Sequence, residues 1–336
     1  MRTAVVVGVI AALIGAVLIA GAGDEASPNP YVVIGLVNGA AYGLIALGLV
    51  LVYKGARVFN FAQGEFGTLA AFIVYVLIEQ VQGTEIPYGI AVLVAVVGVT
   101  IVGLLMERIV VRPLLNAPRI TVLVATIAFT LLAVGVQVLL FLPEAKNLPG
   151  AISAVDAEGT PRGPEIFDYI IEPQQLLIVG VLGALAVILG YFFSKTDLGL
   201  AVLATSQDAF ATRVVGIGVE RMSRFIWGSA AFLGAVAGVL FIPVNLALAP
   251  GVMTSNALIP SFTGAVIGGI TSLPGAFVGG ITVGVIQQLA GWASQNYHFG
   301  ETALQELIPG FPSVALVVVL LLVLLARPQG LLGTEA

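Results

Sequence analysis

The sequence predicts an all-α fold, a polytopic helical bundle integral to a membrane. Hydrophobic residues make up 59% of the 336-residue chain and charged residues only 9%, and the mean hydropathy is +1.10. Soluble globular domains do not reach these values. Several apolar runs reach the roughly 20 helical residues that cross a hydrocarbon layer of about 30 Å. The 41 glycines suit closely packed membrane helices, and the strand alternation typical of membrane barrels is absent.

About ten membrane segments follow from the apolar runs, including short or broken helices. They cover 4–22, 31–53, 61–79, 87–106, 120–142, 174–193, 222–245, 256–270, 274–292 and 312–326. The eighth segment is short and glycine-rich, which also fits a half-helix or a re-entrant segment. Such a segment is tolerated at membrane depth only when protein buries it or it lines a cavity.

The basic residues indicate that both termini lie in the cytoplasm. With the segments counted in this way, one side carries Lys54, Arg57, Arg108, Arg112, Arg119, Lys195, Arg213, Arg221, Arg224 and Arg327. The opposite side carries the acidic loop 143–173. The pattern requires an even number of crossings, with two crossings or a full hairpin between 256 and 292.

Two parts of the chain differ in their expected role. Residues 1–30 are read as an extra N-terminal transmembrane segment and a short external linker. Arg2 and the small residues Ala20-Gly21-Ala22 also resemble a secretory signal, but the apolar run is long for a signal core. Residues 31–333 form the main transmembrane domain, with 143–173 as an external loop and 194–221 as a cytoplasmic segment.

Missing residue types exclude several kinds of chemistry. The chain has no cysteine, which excludes disulfides, thiolate metal sites and thiol catalysis, and its single histidine, His298, argues against a histidine metal site. No Gly-x-x-x-x-Gly-Lys-Ser/Thr motif occurs, so the chain is not expected to bind ATP through a P-loop. We therefore predict no catalytic residues, no metal and no cofactor bound by this chain.

Polar residues at the head of the third apolar run form the first candidate site. They are Asn60, Gln63, Glu65 and Thr68. A carboxylate in hydrocarbon costs several kcal/mol, and such residues usually line a cavity or a substrate path. We predict that these residues line a substrate pathway. The structural alternative is that Asn60 is a helix N-cap and that Glu65 pairs with Arg57 or Lys54.

The segment 194–221 is the second candidate site. Asp197 can cap a helix that begins near Leu198, small residues follow at helical spacing, and Gly216 supplies a stop. A short helix at the cytoplasmic membrane surface fits this pattern. It could dock into a cytosolic partner and carry that partner's motion into the membrane, or it could be an ordinary interfacial helix.

The segment 264–280 is predicted to be a tight hairpin. Pro274 and Gly275 are a turn or helix-start signal, and paired glycines, including Gly269 and Gly279, flank them. Discontinuous helices of this kind often frame substrate sites in transporters. Close packing alone would also explain the glycines.

Four motifs together resemble the branched-chain amino acid ABC-transporter permease family, of the LivH type. They are Asn60–Glu65, Glu107–Leu114, the series from Asp197 through Asp208 to Ile217, and Gly268–Gly280. They occur in the order found in that family, and the resemblance covers about 31–333.

The resemblance implies a non-enzymatic permease subunit of a binding-protein-dependent importer in a bacterial or archaeal plasma membrane. It would move branched-chain or other small hydrophobic amino acids inward by alternating access. The implied partners are a second, homologous permease in a heterodimer, two cytosolic ATPases that bind ATP and Mg, an extracytoplasmic binding protein and membrane lipid, with no nucleic acid. The implied residues for ATPase coupling are Asp197, Gly199, Asp208, Arg213 and Gly216.

Three positions depart from the family pattern. Gln63 replaces a usual histidine, and Leu200 and Leu203 replace usual basic residues, for which Arg213 is a possible substitute. Two other functions stay open at this stage. One is a urea or short-amide permease of the same family, and the other is a proton-coupled secondary transporter with Glu65 as the carrier.

Overall fold

A computed structural model describes residues 27–80, 86–114, 117–152, 160–166, 169–207, 209–214, 216–299 and 302–333. The described chain is mostly helical. Its helices are α1 Asn29–Ala56, α2 Gln63–Tyr75, α3 Tyr88–Met106, α4 Arg119–Phe141, α5 Pro173–Lys195, α6 Asp197–Gln207, α7 Ala209–Val214, α8 Val219–Asn245, α9 Ile259–Gly268, α10 Leu273–Asn296, α11 Leu304–Leu307 and α12 Phe311–Ala326.

Shorter elements extend or connect these helices. π-Helical turns cover Val76–Gln80, Glu107–Val111 and Thr254–Leu258, and a 3₁₀ turn covers Arg112–Leu114. Two antiparallel strand pairs join β1 Glu165–Ile166 to β2 Tyr169–Ile170, and β3 His298–Phe299 to β4 Thr302–Ala303. The first pair lies in the predicted external loop.

Among the described residues, six helices are long and apolar enough to cross a membrane: α1, α3 with its extension, α4, α5, α8 and α10. Each coincides with a predicted segment. Three further predicted segments coincide with the shorter helices α2, α9 and α12. The segment 4–22 lies outside the described residues. The helical membrane fold is therefore confirmed, whereas ten crossings and cytoplasmic termini stay predictions.

Prolines mark the start of several of these helices. Pro87 and Pro118 directly precede α3 and α4, Pro173 opens α5, and Pro274 and Pro312 lie in the first turns of α10 and α12. Proline lacks a backbone N–H, but the first turn of a helix has no intrahelical acceptor for that group. The prolines therefore set the helix starts with little loss of hydrogen bonding.

The chain divides into two compact units. The first contains 44–151 and 182–259, and the second contains the described parts of 1–43, 152–181 and 260–336. In the first unit α2, α3 and α8 pack together, and Gly67 of α2 lies against Gly238 of α8. The apolar window of α8 is 83% buried, whereas that of α4 is 28% buried. Most residues of this α4 window are thus not buried by the described chain.

The second unit is packed through glycines. Gly39 in the first half of α1 lies against Ile281 and Gly284 of α10, and Gly264 of α9 lies against Gly280. A side chain at these positions would collide with backbone atoms of the facing helix. Close backbone approach through small residues is a common way for helices to associate in membranes.

Candidate functional site

Asn60 makes two side-chain hydrogen bonds at the start of α2. Its side-chain oxygen accepts a hydrogen bond from the Ala62 N–H (3.1 Å), and its amide donates to Gln63 Oε1 (3.3 Å). Helix α2 begins at Gln63 with Ala62 as N-cap. The alternative in which Asn60 is the N-cap is therefore wrong by two residues, because the side chain closes a turn just before the helix.

Gln63 connects α2 to α8. Its Nε2 donates to the backbone oxygen of Ala230 (2.8 Å), and the side chain is fully buried. Gly48 of α1 faces this amide, and any side chain there would overlap Gln63 Nε2. Gly48 of α1 thus leaves room for the buried Gln63 amide, which hydrogen-bonds to α8.

Glu65 has two uncharged partners. Its Oε2 accepts from Gln137 Nε2 of α4 (2.7 Å), and its Oε1 accepts from Thr254 Oγ1 (2.5 Å). The carboxylate is 0% exposed. The alternative in which Glu65 pairs with Arg57 or Lys54 is wrong, because the side chain points instead toward α4 and the π-helical turn.

The segment from Gly251 to Thr254 is held at further points. Gln137 Oε1 accepts from the Gly251 N–H (3.0 Å), and Thr68 Oγ1 accepts from the Met253 N–H (3.2 Å). Gly251 has a positive φ of 71°, a conformation that glycine adopts readily. We call Glu65, Thr68, Gln137, Gly251 and Thr254 the carboxylate cluster. Its bonds join α2 to α4, and both helices to the segment that precedes α9.

All four residues predicted to line a substrate pathway are fully buried: Asn60, Gln63, Glu65 and Thr68. The structure brings them together at one end of α2, within the first unit. None of the four side chains is open to solvent in this conformation. Their assignment to a substrate pathway stays a prediction.

Sequence reasoning missed Gln137 and Thr254, the two partners of Glu65. A signal for Gln137 was present. It is the only amide in α4, and it falls on the same helical stripe as Thr126 and Thr130, three polar residues buried on one face. Thr254 carried no such signal, because it is more than 180 residues from Glu65 in the sequence and contacts it only in the folded chain.

The predicted coupling segment contains two short helices, α6 and α7. Thr196 Oγ1 accepts from the Gly199 N–H (3.1 Å), so Thr196 and not Asp197 supplies the cap of α6. Gly199 lies against the backbone of Phe192 and Phe193 at the end of α5, where a side chain would collide. Gly199 therefore allows the tight turn between α5 and α6.

Two other predicted coupling residues, Arg213 and Gly216, lie in or just after α7. Arg213 is exposed near the end of α7. Gly216 follows α7 with a φ of 86°, and its N–H donates to the Arg213 oxygen (3.0 Å), which confirms the predicted helix stop. Asp208 lies outside the described residues, and its role stays a prediction.

The hairpin predicted at 264–280 is present in the second unit. Helix α9 ends at Gly268, Gly269 turns the chain with a φ of 112°, and Ser272 caps α10 by accepting from the Gly275 N–H (3.1 Å). Its arms touch backbone to backbone at Gly268 with Gly275, and again at Gly279. The second arm is longer than expected, since α10 continues to Asn296.

The chain matches a known protein family over most of its length. The family described as "Branched-chain amino acid transport system / permease component" matches residues 31–326. The high-affinity branched-chain amino acid transport system permease protein BraD of Pseudomonas aeruginosa is 30% identical, over 89% of this chain and 94% of that protein.

Two further similar proteins carry related names. The high-affinity branched-chain amino acid transport system permease protein LivH of Escherichia coli K12 is 28% identical, over 89% of this chain and 93% of that protein. The probable branched-chain amino acid transport permease protein LivH of Methanocaldococcus jannaschii is 27% identical, over 87% of this chain and 88% of that protein. The carboxylate cluster and the hairpin both lie inside the residues that match the family.

Proposed function

Because the chain belongs to the permease component family of branched-chain amino acid transport systems, we propose that it is the membrane permease subunit of an ATP-driven importer. Its cargo is a branched-chain or other small hydrophobic amino acid. The observation that carries this proposal is the family match, which runs from the start of α1 to the end of α12. The names of its relatives favour amino acids over urea or short amides as cargo.

The proposed assembly contains a second, homologous permease, two cytosolic ATPases and an external binding protein. Helices α6 and α7 support a contact with an ATPase, because they form a short capped unit between two long apolar helices and present Arg213 to solvent. The basic residues that follow α1, α3, α5 and α12 favour a cytoplasmic position for this side of the protein.

Glu65 has a positional role in this proposal. A carboxylate held by Gln137 and Thr254 stabilises one arrangement of α2, α4 and the turn before α9. Hydrogen bonds between side chains are electrostatically stronger where water is excluded. For Asn60, Gln63, Glu65 and Thr68 to line an open pathway, the helices around them would have to separate during the transport cycle.

The proposal is tested with the complete complex in proteoliposomes. The chain is expressed with ATPase and second-permease subunits from the same genome, purified through a tag on this chain, and reconstituted with a binding protein from that genome. We expect the ATPases and a second permease to copurify, and radiolabelled leucine to enter only when ATP is present on the ATPase side.

The matched control is the same complex with the P-loop lysine of the ATPase subunits replaced, which should abolish uptake. Stimulation of ATP hydrolysis by leucine or valine, but not by urea, would separate the two proposed cargo classes. Uptake by this chain alone, without ATP and abolished by a protonophore, would instead establish a proton-coupled transporter.

A further inference from the structure

A groove of about 760 Å³ runs between α3 and α8 in the first unit. This volume lies within the range of about 300–1,000 Å³ that is typical of ligand sites. The α3 wall consists of Thr100, Ile101, Leu104 and Leu105, and of Arg108 in the π-helical turn that extends α3. These positions repeat at helical spacing, so they form one stripe that is apolar along most of its length and basic at its end.

The α8 wall is also basic at one end and mainly apolar along the rest, but its basic residues come first in the sequence. Arg221 and Arg224 come first, and Phe225, Ser229 and Phe232 follow along the same stripe. The two helices run antiparallel, since Leu104 faces Gly228 and Gly103, one residue earlier, faces Ala231. The basic ends of both walls therefore coincide at one end of the groove.

The three arginines at this end differ from their neighbour Arg112. Arg112 is within 3.3 Å of Glu107 and 3.2 Å of Glu220, so it already has two acidic partners. Arg108, Arg221 and Arg224 are exposed and make no ion pair with any residue that the structure describes. Among the residues that the structure describes, the walls of the groove contain no acidic side chain.

The apolar part of the groove is open to the surroundings. Ile101 is 49% exposed, Leu105 48% and Phe232 36%. The α3 wall runs over the eight residue steps from Thr100 to Arg108, which corresponds to roughly 12 Å at about 1.5 Å per step. A groove of this length can hold part of an acyl chain while a headgroup lies at the arginines.

We propose that this groove binds an anionic phospholipid, with the phosphate on Arg108, Arg221 and Arg224 and an acyl chain along the apolar walls. Guanidinium groups bind phosphate through paired hydrogen bonds, and basic pockets between membrane helices are suited to anionic headgroups. Charge complementarity selects an anionic over a neutral lipid, and the long apolar walls select a lipid over free phosphate. The proposal does not depend on what the protein transports.

Native mass spectrometry of the full chain, released from nanodiscs of equal phosphatidylglycerol and phosphatidylcholine, tests this site. We expect the wild type to retain phosphatidylglycerol in preference to phosphatidylcholine. The double variant Arg221→Gln, Arg224→Gln should lose affinity for phosphatidylglycerol by about fivefold per arginine removed. The matched control, Arg119→Gln with Arg327→Gln, removes the same charge outside the groove and should retain the lipid as the wild type does.

A second variant separates a lipid from a free anion. Ser229→Phe fills the groove but leaves every charge in place, so it also gives a result if the double arginine variant fails to fold. We expect Ser229→Phe to lose phosphatidylglycerol, and millimolar inorganic phosphate not to displace the lipid from the wild type. Retention by Ser229→Phe, displacement by phosphate, or an equal loss in the Arg119 and Arg327 control would each overturn the proposal.

Discussion

The carboxylate cluster and the hairpin of α9 and α10 solve the same problem in opposite ways. Each holds helical segments close together in a buried region, where water does not satisfy their hydrogen bonds. The cluster does so with a buried carboxyl group and side-chain hydrogen bonds between residues far apart in sequence, such as Glu65 and Thr254. The hairpin does so by removing side chains, so that Gly264 and Gly280 bring backbones together.

The difference determines how each region responds to change. Removing a group from the cluster leaves a buried donor without a partner, and such a donor costs about 1–3 kcal/mol. Adding a group to the hairpin forces backbones apart, because the colliding atoms belong to the main chain. The cluster is therefore most sensitive to truncation, and the hairpin to enlargement.

The largest expected effect is that of Glu65→Ala. It leaves the Gln137 amide and the Thr254 hydroxyl without their acceptor and opens a cavity, which together should cost roughly 2–5 kcal/mol of stability. Thermal unfolding of the purified chain in one detergent, at one scan rate, measures the change.

The matched control for this variant is Glu65→Gln. Its oxygen can accept from Gln137, and its amide can donate to the Thr254 hydroxyl, which both donates and accepts. We expect Glu65→Gln to unfold much closer to the wild type than Glu65→Ala does. Equal and small losses in both variants would show that the cluster contributes little to stability.

The second-largest effect compares two glycines of α10, at which substitution by alanine should change the stability in opposite directions. Gly280→Ala places a methyl group on the backbone of Gly43 and should destabilise the protein by about 1–3 kcal/mol. Gly291→Ala has nothing within 4 Å of the new methyl group, and it should stabilise the helix by roughly 0.5–1 kcal/mol. The same unfolding measurement compares the two, and a shift of equal sign would contradict the packing described for α10.

The smallest effect concerns the cap of α10. Ser272→Ala removes the acceptor for the Gly275 N–H and should cost about 1 kcal/mol. Ser272→Asp keeps a capping oxygen, so its unfolding temperature should stay close to that of the wild type. If the aspartate variant unfolds as early as the alanine variant, the hydroxyl has another role at this turn.

Local patterns predicted much of this molecule. Apolar runs located the helices, and Pro274 with its flanking glycines predicted the hairpin, because both depend on residues close in sequence. Gly216 likewise predicted the end of α7. The cap of α6 was assigned one residue too late, since Thr196 and Asp197 are both good capping residues and sequence alone does not decide between them.

The partners of Glu65 could not be predicted in the same way. The nearest basic residues in sequence, Lys54 and Arg57, suggested an ion pair, and an ion pair is the usual way to stabilise a buried carboxylate. The protein instead uses Gln137 and Thr254, which lie 72 and 189 residues away. Such pairings depend on tertiary packing, which no local pattern contains.

The most direct test of the account is leucine uptake by proteoliposomes that contain the complete complex with Glu65→Gln. If Glu65 holds α2, α4 and the Gly251–Thr254 segment in place, the variant should take up leucine with ATP, and a protonophore should not change the rate. If Glu65 carries a proton, uptake should be abolished in the variant and should collapse with the protonophore in the wild type. That second result would contradict the account.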